Sequence, residues 1–138
     1  MTYSVLCAYD GSTSAEHAFG HALALAKAFA GELHVLAVAQ PPEPPEDVET
    51  EALLDAAQER FNKQFEKLRA RAQAAGIKTS FEVCVGHPAE QILYHADGLH
   101  ADNIVLGHRG KNAFKRWLMG SVSQRVISYA TSTVTIVR

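Results

Sequence analysis

The chain has 138 residues, of which 47% are hydrophobic and 20% charged, with a formal net charge of -2. That length and apolar fraction fit one domain, spanning residues 1–138, with one core. The near-neutral balance excludes the basic excess usual in a nucleic-acid binder. No stretch reaches the ~18 uninterrupted apolar residues of a membrane span, and residues 1–10 lack the basic and long apolar regions of a secretory signal. The expected location is the cytoplasm.

Residues 4–9 form a short apolar run ended by Asp10-Gly11-Ser12, which reads as a buried strand and a turn. Residues 12–30 are rich in Ala and Leu, with Ala18, Ala22, Leu25 and Phe29 at helical spacing. Ser12 or Ser14 is placed to cap that helix and Gly31 to stop it. Residues 33–39 are a second apolar strand. Four prolines within residues 40–46 bar both helix and strand, so an extended loop is expected. A long helix follows over residues 47–75, where Leu54, Ala57, Phe61, Phe65, Leu68 and Ala72 make one stripe.

Residues 78–85 read as a third strand. The turn Gly86-His87-Pro88 then sets a proline to open a helix over residues 89–96. Residues 103–106 are a fourth, very short strand. A loop with some helical character covers residues 107–119. A helix follows over residues 121–130, with Val122, Val126, Ile127 and Tyr129 as candidate core positions, and a β-branched strand over residues 133–137. Cys7 and Cys84 fall inside strand runs and outside any C-x-x-C pair, so both are expected as buried free thiols. Strands alternating with helices predict a doubly wound α/β domain, with a parallel sheet and helices on both faces.

In such sheets ligands bind beyond the carboxyl ends of the strands, where the strand order reverses. The loop after the first strand, Asp10-Gly11-Ser12-Thr13, has no G-x-G-x-x-G. Its acid repels phosphate and suits a ribose hydroxyl or an amine; it equally suits a turn or a helix cap. After the second strand, the backbone of residues 37–40 is placed to read an adenine edge, though no residue type there requires it. After the fourth strand the sequence is Gly107-His108-Arg109-Gly110, nine residues, then Gly120-Ser121-Val122-Ser123. Gly107 and Gly110 allow close backbone approach. Gly120 and Ser121 start a helix, whose free N–H groups and partial positive charge attract phosphate, and Ser121 and Ser123 add hydroxyls. The chain has no acid after Asp102 but has Arg109, Lys111, Lys115, Arg116, Arg125 and Arg138. That excess fits a polyanionic ligand or a solvated basic face.

Over essentially its full length the chain resembles the universal stress protein family. The resemblance rests on Asp10-Gly11-Ser12, on Gly107-x2-Gly110-x9-Gly120-Ser121, on Gly86-His87-Pro88-Ala89 and on the valine-rich last strand ending at Arg138. The glycine spacing is that of the family's nucleotide-binding branch. It implies a five-stranded sheet ordered 3-2-1-4-5 and an adenine nucleotide, ATP or AMP, bound with Mg2+. On the family pattern Ala8 and Val38 border the adenine, Asp10 and Gly107 hold the ribose, and Gly110, Gly120, Ser121, Val122 and Ser123 surround the phosphates, with His108 and Arg109 in the same loop. Position 108 departs from the small hydroxyl residue common there: its imidazole can stack, donate to phosphate or face solvent. The family also implies a homodimer through the strand from Val134 to Val137, and a protein partner that reads the nucleotide state. Hydrolysis needs a base and a positioned water; Asp10 and His108 are the only candidates, and they make no convincing catalytic set. His17 and His21 have a metal-compatible i, i+4 spacing but no further ligand in view, so no metal site is expected from side chains alone.

Overall fold

The structure, a computed structural model, describes residues 1–41, 50–109 and 120–138. Gly110, most of the proline-rich loop and the expected helix start at residues 47–49 lie outside them. The described elements are β1 (Ser4–Ala8), α1 (Thr13–Ala28), β2 (Glu32–Ala39), α2 (Thr50–Ala75), β3 (Thr79–Val85), α3 (Pro88–Leu99), β4 (Asn103–Gly107), α4 (Ser121–Tyr129) and β5 (Thr133–Val137). The sheet is five-stranded and parallel throughout, in the order β3-β2-β1-β4-β5.

Strand alternation sorts the core into two layers. Val5, Cys7, Leu33, Val35 and Ala37 face α1 and α2, whereas Leu6, Leu36, Ile104 and Leu106 face α3 and α4. The first layer is filled by Phe19 from α1 and by Phe61, Phe65 and Leu68 from α2. Phe19 is fully buried, which contributes on the order of 2–3 kcal/mol. The predicted α2 stripe is present, with Leu54 at its edge only partly covered.

At the other end of the sheet from the crevice described below, β1 and β4 are clamped together. The Ser4 N–H donates to Asp102 Oδ2 at 2.8 Å, and the Asp102 N–H donates to the Ser4 carbonyl at 2.8 Å. Ser12 caps α1, its Oγ accepting the Ala15 N–H at 3.1 Å. The helix ends before Gly31: Ala30 takes the left-handed position (φ 51) and the Gly31 N–H donates to the Ala26 carbonyl at 2.7 Å.

Several expectations are corrected. Phe29 is 55% exposed and stacks on Tyr3 with ring centroids 4.3 Å apart, because it lies past the last helical turn. Ile127 and Tyr129 are exposed, since the short α4 packs on the sheet chiefly through Val126. Helix α3 runs three residues further than expected, to Leu99. Both cysteines are free thiols, but Cys84 on β3 is only partly buried. None of the described helices is long and apolar enough to cross a membrane.

Candidate functional site

Strands β1 and β4 are neighbours, yet the chain leaves β1 toward α1 on one face and leaves β4 toward α4 on the other. That divergence opens a crevice of about 530 Å3 beyond their carboxyl ends. Nine of the eleven residues selected from sequence line it: Ala8 and Asp10 after β1, Val38 on β2, Gly107 and Arg109 at β4, and Gly120, Ser121, Val122 and Ser123 at the start of α4. Gly110 lies outside the described residues. His108 is not part of the wall. Its ring turns instead to Ser14 on α1, with Nδ1 3.2 Å from Ser14 Oγ, and to Arg109, whose Nε–H it accepts at Nε2 at 2.9 Å.

The crevice combines two kinds of lining. Ala8, Leu36, Val38, Ile92 and Leu106 supply aliphatic surface. Arg60, Arg109 and the first turn of α4 supply cationic and N–H groups, with Val122 of that turn packed against the aliphatic set. Gly120 caps α4 with no side-chain hydrogen bond, no acid stands in the first turn, and the Gln124 N–H is the first to return to the helix, reaching the Gly120 carbonyl at 3.0 Å. Helix geometry therefore leaves the N–H groups of Ser121, Val122 and Ser123 pointing out of the helix end. The Ser123 hydroxyl, expected as an anion donor, is buried and donates to the Gly107 carbonyl at 3.0 Å, tying α4 to β4. Asp10 forms an Asx turn, with Oδ1 accepting the Ser12 N–H at 2.9 Å.

Gly107 owes its small side chain to packing. A Cβ there would lie 2.7 Å from Ser14 Cβ and 2.8 Å from the Ser14 carbonyl carbon. Helix α1 thus rests directly on the β4 backbone, and the glycine serves that contact rather than only the approach of a ligand.

Sequence reasoning missed Tyr9, Gln40, Arg60 and Phe61, which also line the crevice. Phe61 was legible as a core position of α2. Arg60 beside it carries no local signal; it reaches the site because α2, packed on β3 and β2, passes beside Tyr9, whose ring lies 6.2 Å from that of Phe65, and the Arg60 guanidinium is 5.0 Å from the Phe61 ring centre. Tyr9 is 3% exposed and its hydroxyl donates a very short hydrogen bond to Glu16, which in turn accepts from Arg71 of α2 at 3.4 Å. Burial, and then the Glu16 carboxylate, push the Tyr9 pKa up, so the phenol stays neutral. His17 lies 3.2 Å from the Arg138 carbonyl, and among the described residues no three potential ligand side chains are grouped for a metal.

A parallel α/β domain with a crevice at the strand-order reversal, lined by aliphatic groups, arginines and a helix start, is of the doubly wound class, in which ligand sites fall at that point. The profile of the Universal stress protein family matches residues 1–138. A Thermus aquaticus protein, "Universal stress protein in QAH/OAS sulfhydrylase 3'region", is 38% identical over 140 residues, covering 100% of both chains. The structure of MJ0577 from Methanocaldococcus jannaschii superposes with a TM-score of 0.84 at 28% identity, over 99% of this chain and 96% of that one. A universal stress protein in complex with cAMP superposes with a TM-score of 0.77 at 26% identity, over 99% and 97%. The chain belongs to the universal stress protein family.

Proposed function

We propose that this protein binds an adenine nucleotide, ATP foremost, in the crevice and acts as a nucleotide-dependent switch or interaction module in a cytoplasmic stress response. The observation that carries the reading is the presence in one crevice of aliphatic surface, arginine side chains and a helix N-terminus. Ala8 and Val38 suit the faces of a purine, whereas Arg109 and the uncapped start of α4 suit phosphates. The family relative in complex with cAMP supports an adenine nucleotide as the ligand class. In this reading Asp10 accepts a ribose hydroxyl, Gly107 borders the ribose, and Gly110, Gly120, Ser121, Val122 and Ser123 surround the phosphates. Mg2+, where it accompanies the nucleotide, would neutralise phosphate charge and take its ligands mainly from phosphate oxygens and water. A switch needs a reader: β5, paired with β4 on one side, is the edge strand and offers its outer edge over residues 134–137 to a second copy, and a protein partner reads the nucleotide state.

A slow hydrolase is the competing reading. It requires Asp10 or His108 to leave the partners that hold them and activate water.

The test is nucleotide analysis of protein denatured directly after purification, followed by calorimetric titration of ligand-free protein with ATP and Mg2+. Stoichiometric nucleotide or a micromolar Kd is expected. Gly120→Val should abolish binding while leaving the circular dichroism spectrum intact, since φ -61 at Gly120 is open to any residue and only the bulk changes. Neither carried nucleotide nor any heat of binding would overturn the reading in favour of a ligand-free interaction protein.

A further inference from the structure

We propose that His108 is a positioning residue: its imidazole holds the Arg109 guanidinium at the crevice wall, so the affinity for a polyanion depends on a side chain that does not touch it. This rests on the nucleotide reading above for its ligand, but not for its geometry.

His108 is fixed at its backbone from two sides. Its N–H donates to the Val137 carbonyl at the end of β5 (2.8 Å), and its carbonyl accepts the Gly120 N–H at the start of α4 (3.1 Å). From that fixed point the ring reaches Ser14, which is 8% exposed, and Arg109. The arginine Nε is always a donor, so the ring nitrogen that receives it, Nε2, must carry the lone pair. The ring proton then belongs on Nδ1 and donates to Ser14 Oγ. One neutral tautomer satisfies both partners, and the chain Ser14–His108–Arg109 runs from the buried start of α1 to the crevice wall. Holding Nε removes much of the rotational freedom of the guanidinium while leaving its terminal N–H groups to a ligand. An arginine ordered in advance binds more tightly than one ordered by the ligand. The same residue also anchors Gly120, so Arg109 and the start of α4 both hang on position 108.

Two measurements test this. In ligand-free protein, the Arg109 Nε–H NMR signal should be protected from solvent exchange, and His108→Leu should remove the protection. In ATP titrations, His108→Leu should weaken binding about tenfold. His108→Gln, which keeps an acceptor at similar reach, should restore affinity to within about threefold. In an Arg109→Ala background, His108→Leu should cost nothing further, because its effect passes through Arg109. Additive losses in the double variant, or an Arg109 Nε–H signal unchanged by His108→Leu, would overturn the proposal. Should wild type bind no ATP, the nucleotide reading fails while the exchange measurement still decides whether His108 orders Arg109. Melting curves for each variant separate these effects from misfolding, and His108→Gln is the variant least disturbing to the fold.

Discussion

Replacing Gly107 by alanine tests how the crevice is held open. The added methyl would meet the Ser14 Cβ at 2.7 Å, its carbonyl carbon at 2.8 Å and its carbonyl oxygen at 3.0 Å. Ordinary carbon contacts need about 3.5–4.0 Å, so α1 must retreat from β4 by close to 1 Å. The atoms in the way are the Cβ and backbone atoms of a helical residue, fixed to the helix axis, and cannot swing aside. Overpacking of this kind costs about 1–3 kcal/mol, and the stiffer unfolded chain of an alanine variant returns about 0.4–1 kcal/mol. A net loss of about 1–2 kcal/mol corresponds to a fall in Tm of about 3–8 °C at this chain length. Thermal melting followed by circular dichroism reads it directly. Gly98→Ala is the matched control: nothing lies within 4 Å of its Cβ position, and it sits inside α3. That change should raise Tm by about 2–4 °C through helix propensity. A Gly107→Ala protein melting within about 1 °C of wild type would refute the packing argument, the resolvable shift at this size being a few degrees per kcal/mol.

Other outcomes follow from the same geometry. Ser12→Ala removes the α1 cap and should destabilise by about 1 kcal/mol in urea unfolding, whereas Ser12→Gly should cost only a few tenths. Burial, aided by Glu16, pushes the Cys7 thiol from 9.0 up to about 12, so between those values the folded chain keeps a proton that the unfolded chain has lost. Stability should therefore be fully present below pH 9 and fall above it, by up to about 1.4 kcal/mol per pH unit from this group. Cys7→Ala should flatten that slope without abolishing it, since Tyr9 is shifted in the same direction; an unchanged slope would contradict the assignment. Light scattering at micromolar concentration should give twice the 15.0 kDa of one chain, and a monomer would remove β5 as a dimer edge.

The fold was legible because its signals are local. Apolar runs of five to eight residues separated by amphipathic stretches leave few arrangements besides a parallel sheet with covered faces. The errors arose where tertiary contacts decide burial. Ile127 and Tyr129 have helical spacing, but α4 is only nine residues long and meets the sheet along a narrow line. Phe29 continues the periodicity of α1 past the point where the backbone stops being helical. At the crevice, the loop residues after β1 and β4 were readable from glycine spacing and topology. Arg60 was not, because its place depends on how α2 lies along β3 and β2, and nothing near position 60 encodes that placement. The reason for Gly107 was also hidden: its partner, Ser14, is 93 positions away in sequence.

The central place of β1 has a consequence for the order of assembly. The first strand made pairs on one side with β2, its near neighbour in sequence, and on the other with β4, which begins at Asn103. A chain folding from its amino end can build β1, β2 and β3 with α1 and α2 while one edge of β1 stays open. Only the arrival of β4 closes that edge, joining Ser4 to Asp102. Such distant pairing is slow, and it is the step that brings the loop of Asp10 opposite Gly107. In a chain that folds in that order the crevice is completed only once β4 is in place, and a ligand there would stabilise the finished domain alone.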